Sequence, residues 1–380
     1  MKILINATCI EAARATGIER FALHIVRELY RIDPSVAVVA SEPLTGIPEV
    51  IIPKELVASR LLLGRRDFFS RAVWDQTIFR FMAARLSADL VFFPIQDGIF
   101  LPPTKQIVTV HDLHYLHFND AVAGCRQEIP AYRRFLYRVK MPHIFKRSTA
   151  IVTVSEAARL DIINSFGISP EKVHVVYNGY DSKRFHNKIN SKQVLERLGL
   201  TRGDYFLFVG SILRHKNIVR LVQAFARQDA HMSLVIVGVC KDTDYLEEIM
   251  EISTKLGVGG RLKYLKYVAD DDLPSLYSAA VAFILPSLHE GFGVPIIEAM
   301  ACGTPVITSN CSAMPEVAGD AALLVDPYSV ESISAAMNEI LENPLLTQKL
   351  RRAGLERSAA FRWANSARKL YELCQKVHEL

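Results

Sequence analysis

Six short apolar runs, at 2–6, 36–40, 90–93, 106–110, 150–154 and 173–177, alternate with segments that carry Leu, Ile and Ala at helical spacing. Six more, at 205–210, 233–237, 262–265, 281–285, 305–308 and 321–325, repeat the pattern. Strand-like runs separated by helices imply crossover connections, which build parallel sheets with helices on their faces. A chain of 380 residues exceeds what one hydrophobic core usually holds. Asn178-Gly-Tyr-Asp-Ser-Lys-Arg-Phe185 combines turn chemistry with polar residues and sets a boundary near 180. The expected architecture is therefore α/β, with domains at 1–180 and 181–362, two Rossmann-like halves facing each other across a cleft. A terminal helical segment, 363–380, could pack on either.

Within the second half, Glu290-Gly-Phe-Gly-Val-Pro-Ile-Ile-Glu298 places two carboxylates around a glycine-rich turn that opens a helix. Gly291 and Gly293 let backbone N–H groups approach a ligand, and the fixed φ of Pro295 suits a first helical turn. Such a helix start favours an anion such as a diphosphate. Glu290 is expected in the loop and Glu298 about two turns into the helix, so the two can grip different parts of one ligand, with hydroxyl groups as partners. The plainer alternative is a strand-to-helix loop with a capping Glu and a surface Glu.

Further candidates stand at other strand ends. Gly210-Ser-Ile-Leu-Arg-His-Lys-Asn217 joins an apolar strand to a helix, so Lys216 can balance phosphate charge and Arg214 can add a planar fork of donors. In the alternative reading both are surface cations. Thr109-Val-His-Asp-Leu113 ends another strand and puts His111 where a substrate-orienting residue would lie. His114 and His117 follow at intervals of three, but no Cys or second cluster completes a zinc site. Asp270-Asp-Asp272 precedes a helix, and capping explains it more simply than magnesium. No metal is expected. Thr16-Gly-Ile-Glu-Arg20 is a glycine turn into a helix that could admit phosphate; a full dinucleotide fingerprint, a Walker lysine motif and a nucleophile elbow are missing.

The six cysteines form no CxxC pair, so reduced thiols are expected. No stretch approaches the ~18–20 apolar residues of a membrane span, and the start reads as a strand rather than a signal peptide, which implies a cytoplasmic protein. Residues 1–180 hold 22 basic against 17 acidic side chains while 181–380 hold 23 of each, so the first half carries the whole net charge of +5. Much of it lies from Arg65-Arg66 through Arg85 and from Arg126 through Arg147. These segments suit either an anionic membrane surface at the inner face or a solvated helix face; no nucleic-acid partner is expected.

The Glu290–Glu298 segment resembles the Glu-x7-Glu motif of retaining glycosyltransferases with the GT-B fold, in particular glycosyltransferase family 4. The similarity extends over nearly the whole chain, through the Gly17 loop, Val110-His-Asp112, Val154-Ser-Glu156, Val176-Tyr-Asn-Gly179, Gly210 to Lys216-Asn217, Leu285-Pro-Ser287, Met314-Pro-Glu316 and Asp326-Pro327. It implies an N-terminal acceptor domain and a C-terminal domain for a nucleotide-sugar donor. Glu298 would hold the ribose hydroxyls, Glu290 the transferred sugar, and the amides of Phe292, Gly293 and Val294 the sugar hydroxyls and diphosphate. Lys216 would neutralise the leaving diphosphate, Gly17 would admit it, and His111 would contact the donor sugar. Neither metal nor cofactor is implied, and the C-terminal helix would cross back onto the first domain.

Two departures bear on the donor. Many relatives carry Arg directly after the strand glycine where this chain has Ser211, whose hydroxyl would donate a hydrogen bond instead. A mannosyltransferase-rich subgroup reads Glu-Pro-Arg-Lys-Asn where this chain reads Leu213-Arg-His-Lys-Asn217. The resulting expectation is transfer of a hexose, best mannose from GDP-mannose, to a glycan or lipid-linked acceptor. The alternatives are a UDP-sugar-dependent glucosyl- or N-acetylhexosaminyl-transferase, another enzyme on two Rossmann-like halves, and a non-catalytic nucleotide-binding subunit.

Overall fold

The computed structural model describes residues 1–10, 17–53, 73–113, 116 and 131–380, with side chains from 137 onward in the last span. Thr16, Arg65, Arg66, His114, His117 and Arg126 lie outside the described residues, as do the side chains of 131–136. The chain divides into two compact units. The first comprises Met1–Leu113, Ala131–Gly179 and Trp363–Leu380, and the second contains Tyr180–Arg362.

Among the described residues the first unit holds a seven-stranded parallel sheet. Its strands are β1 (Ile3–Asn6), β2 (Ala37–Val39), β3 (Val50–Ile51), β4 (Leu90–Phe93), β5 (Lys105–Val110), β6 (Ala150–Thr153) and β7 (Val173–Val175), in the order β3-β2-β1-β4-β5-β6-β7. β1, β4 and β6 are buried at every position, as uninterrupted apolar runs covered on both faces must be. The helix Gly17–Ile32 follows β1 because Phe21, Ala22, Ile25, Val26 and Leu29 form one apolar stripe, all buried. Glu156–Phe166 begins where the Ser155 hydroxyl accepts the Ala158 N–H and stops at Gly167, whose φ is +59°.

The last helix, Trp363–Glu379, belongs to this first unit and packs on Gly17–Ile32. It buries Trp363, Ala367, Leu370, Cys374 and Val377 along one face. Three polar ties hold it: Ser366 Oγ donates to the Tyr177 carbonyl at 2.6 Å, Tyr371 Oη to Asp33 at 2.9 Å, and Lys105 Nζ to the His378 carbonyl at 2.6 Å.

The second unit has a six-stranded parallel sheet in the order β10-β9-β8-β11-β12-β13. These strands are β8 (Tyr205–Val209), β9 (Ser233–Val237), β10 (Leu262–Leu265), β11 (Ala282–Leu285), β12 (Val306–Ser309) and β13 (Ala322–Val325). All the strand positions expected from the apolar runs form, within two residues at either end. β3 is additional, because a two-residue edge strand has too little apolar pattern to register. The chain starts in the middle of the second sheet, builds outward to β10, then returns to the other side of β8 as β11. Loops leaving the carboxyl ends of β8 and β11 diverge at this switch point, where open α/β sheets leave a crevice.

Backbone approach at that edge is close. A Cβ on Gly238, just after β9, would lie 1.8 Å from the Gly210 carbonyl oxygen. Gly238→Ala is therefore expected to lower the unfolding free energy by about 2 kcal/mol or more, measured by denaturant titration; an unchanged midpoint would contradict the packing of β8 on β9.

Candidate active site

β11 leads into Pro286-Ser-Leu-His-Glu290, and the helix Val294–Ala301 begins after Gly293, which stands at φ +92° and ψ +53°. That left-handed geometry keeps the glycine turn outside the helix. Glu298 consequently lies little more than one turn from the helix start, not two. No side chain caps this start and Pro295 occupies its first turn, so the site offers backbone donors and a positive dipole end. Glu298 is 6% exposed, and the Tyr277 hydroxyl donates to its carboxylate at 3.2 Å. Phe292 is buried and packs edge-on against Phe361 at 5.6 Å.

Glu290 accepts from Lys216 Nζ at 2.5 Å and from Ser287 Oγ at 2.7 Å. Ser312, at φ +56°, closes the turn: its hydroxyl accepts the Glu290 N–H at 3.2 Å and donates to the Glu290 carbonyl at 2.7 Å. Burial pushes the Glu290 carboxyl up, but the Lys216 ammonium, His215 and the hydrogen bonds from Lys216 and Ser287 together hold it below the ordinary carboxylate range. It is an anion held by a cation.

Lys216 ends the short turn Arg214–Lys216 after β8. Asn217 follows at φ +60°, a conformation Asn tolerates better than most residues. The residue is 2% exposed and its Nδ2 donates to the carbonyls of Pro286 at 2.9 Å and Pro327 at 2.7 Å. One amide thus stitches together the loops after β8, β11 and β13. The Leu288 N–H adds a bond to the His215 carbonyl at 2.7 Å. These ties bring Lys216 and Glu290 together although 74 positions separate them. Asn217 was visible in the sequence only as part of a motif; an Asn between a cationic turn and a helix was the available signal. Ser312 and Tyr277 had none, since each reaches its carboxylate through the fold.

Two further expectations are corrected. Arg214 does not present its fork to the site. Its Nη1 pairs with Glu248 at 2.7 Å, its Nε lies 3.3 Å from Asp242, and the guanidinium sits over the Tyr245 ring at 4.9 Å. These partners lie on or before the helix Thr243–Lys255, so Arg214 anchors the turn that carries Lys216. Nor do Asp270, Asp271 and Asp272 cap the helix Leu273–Ala279 through side chains. The first two lie 3.3 Å from Arg184 atoms and the third pairs with Arg197, because nearby guanidinium groups offer charge where the helix start offers only dipoles. Ser211 is half-buried, two residues past the end of β8. Among the described residues no group of His, Cys, Asp or Glu is arranged to hold a metal, and Cys9, Cys240, Cys302, Cys311 and Cys374 form no disulfide.

His111 and Gly17 belong to the first unit. His111 follows β5, is 6% exposed, and its Nε2 lies 3.1 Å from the Pro94 carbonyl. A carbonyl only accepts, so Nε2 carries the proton and Nδ1 the lone pair. Burial lowers its pKa more than the Pro94 bond and Asp112 raise it, so the ring is neutral at pH 7. A Cβ on Gly17 would meet nothing within 4 Å; packing among the described residues does not require glycine there.

Comparison with known proteins decides the family. A model for glycosyl transferases group 1 matches residues 193–357, and one for Glycosyltransferase Family 4 matches 15–184. O-antigen chain mannosyltransferase B of Escherichia coli is 31% identical over 267 residues, which are 69% of this chain and 68% of that protein. The chain belongs to glycosyltransferase family 4. The MMP alpha-(1->4)-mannosyltransferase of Mycolicibacterium hassiacum is 28% identical to this glycosyltransferase over 342 residues, 87% of this chain and 76% of that one. Anabaena HepE, solved in complex with UDP and glucose, superimposes with a TM-score of 0.76 at 18% identity, over 99% of this chain and 100% of HepE. The fold of this glycosyltransferase is GT-B, built on two Rossmann-like units.

Two outcomes test the site. Asn217→Gly keeps access to positive φ while Asn217→Ala does not, so denaturant titration should find both less stable than wild type, with Ala the worse by about 1 kcal/mol. Because the folded-state pKa of Glu290 is depressed, its contribution to stability is complete above the ordinary carboxylate range and is lost as pH falls through the lowered value. Glu290→Gln should flatten that acid limb of the stability–pH curve; an unchanged acid limb would remove the ion pair from the account.

Proposed function

We propose that this glycosyltransferase moves mannose from GDP-mannose to a glycan or lipid-linked acceptor in polysaccharide or glycolipid synthesis, with retention of anomeric configuration. The observation that carries the reading is the Lys216–Glu290 pair at the switch point between β8 and β11, beside a helix start with no side-chain cap. A cation, a carboxylate that can accept hydroxyls and a helix start are the kinds of group that a diphosphate and its sugar would need. Lys216 neutralises the leaving diphosphate, with Ser211 as a further donor and Gly17 admitting it from the first unit. Glu290 accepts sugar hydroxyls, the amides of Phe292, Gly293 and Val294 hold sugar and phosphate oxygens, and Glu298 accepts the ribose hydroxyls. His111, neutral with Nε2 committed to Pro94, contacts the sugar.

In the transfer the acceptor oxygen bonds to the anomeric carbon on the face from which the phosphate oxygen leaves. The acceptor proton passes to that leaving oxygen. The growing negative charge of the diphosphate is met by Lys216 and the helix start, so no metal or cofactor enters the reading. Mannose is supported by relatives named mannosyltransferases from Escherichia coli, Salmonella typhimurium and Mycolicibacterium hassiacum. A lipid-linked acceptor fits a first domain that holds the whole charge excess and would meet an anionic membrane from the cytoplasmic side. No helix among the described residues is long and apolar enough to cross one. The second reading, a UDP-sugar donor, is supported by HepE, solved with UDP-glucose as well as with UDP and glucose.

Thermal shifts with GDP, UDP, GDP-mannose and UDP-glucose separate the two; stabilisation by the uridine compounds alone would overturn the mannose assignment. Glu290→Ala is expected to cut transfer by at least about 100-fold with circular dichroism unchanged, and wild-type turnover in that variant would remove the central role of the turn.

A further inference from the structure

The buried rings around His111 form a continuous cluster that ends where the chain crosses between the units. His111 meets the edge of Phe21 at 4.8 Å and 81°, and Phe21 meets Trp363 at 5.8 Å and 65°. His24, one turn beyond Phe21 on the same helix, stacks on the Trp363 indole at 5.0 Å and 7°. Beneath the indole, a Cβ on Gly179 would come within 2.8 Å of its ring atoms and 2.5 Å of the Trp363 backbone nitrogen, so the position has no room for a side chain. Phe21, His111 and Trp363 are 1%, 6% and 9% exposed. The chain leaves the first unit after Gly179 and re-enters it at Trp363.

We propose that Trp363 is a positioning residue for His111, acting through Phe21. Among the described residues, two contacts bear on the plane of the imidazole: Nε2 is pinned to the Pro94 carbonyl, and the Phe21 ring closes one side. The second depends on Phe21 staying where it is, and the indole is what holds it there. Its own place is set by Gly179 below and His24 on its face. A close-packed interior transmits the loss of such a side chain to its neighbours, because the void is relieved only by partial collapse. Phe21 would shift toward the vacated space, and the imidazole would lose the ring that closes that side. The link rests on the reading of His111 as a residue that touches the donor sugar, and it makes the first residue after the crossover part of that residue's support.

The test follows His111 directly in the full-length protein, by 13C–1H spectra of histidine labelled at Cε1, with the resonance assigned by His111→Gln. Trp363→Ala should move the His111 signal, and transfer should fall about tenfold in kcat with the donor KM held within about twofold, as expected for a misoriented contact. Trp363→Phe, which keeps an aromatic ring against Phe21, should restore both. Phe21→Leu gives a second route to the same displacement should Trp363→Ala fold poorly. A His111 signal unmoved in a folded Trp363→Ala or Phe21→Leu variant overturns the proposal. A moved signal with unchanged turnover upholds the packing link and overturns instead the role of His111 in transfer.

Discussion

A single buried amide organises the second unit's candidate site. Asn217 holds the carbonyls of Pro286 and Pro327 from a position just past the cationic turn, so three strand ends that would otherwise diverge share one anchor. The Lys216–Glu290 pair depends on it. An ammonium and a carboxylate brought out of water lose hydration, and the pair survives because Ser287 supplies a further hydrogen bond to the carboxylate. Arg214, Asp242, Glu248 and Tyr245 steady the turn from behind. The charges are therefore held in place by the fold itself, the preorganisation that a site stabilising developing charge needs.

The first unit is organised differently. Its candidate residue is a neutral histidine held by a carbonyl and an aromatic ring, and the ring is held in turn by the last helix of the chain. That helix is sequence-distant from everything it supports, joined through Ser366 to Tyr177, Tyr371 to Asp33 and Lys105 to the His378 carbonyl. Polar ties at both ends and an apolar face between them make it as much a part of the first unit as β1.

Much of this was legible in the sequence because it depends on short-range pattern. Apolar runs of four to six residues bounded by turns became strands, and the glycine before Val294 became the left-handed stop that starts a helix. Misreadings arose where competing partners come from far along the chain. Arg214 lies next to Lys216 in sequence and equally resembles a phosphate ligand; only the helix Thr243–Lys255, arriving with Asp242 and Glu248, turns it away. The acidic run at 270–272 reads as a cap until Arg184 and Arg197 are seen beside it. Glu298 lies a turn shallower than the motif suggests because nothing local says that the helix leaves out both glycines.

By itself the sequence determined the parallel α/β architecture, the family, and the residue types at each strand end, since these follow from periodicity, turn chemistry and ordered motifs. Tertiary structure alone decided which of those residues act together. Lys216 pairs with Glu290 rather than standing as a free cation because the sheet order sets β8 against β11, and Trp363 reaches Phe21 because the chain returns to the first unit beside Gly179. Strand order and chain return are long-range choices made by burial of whole surfaces, and no local pattern of residues records them.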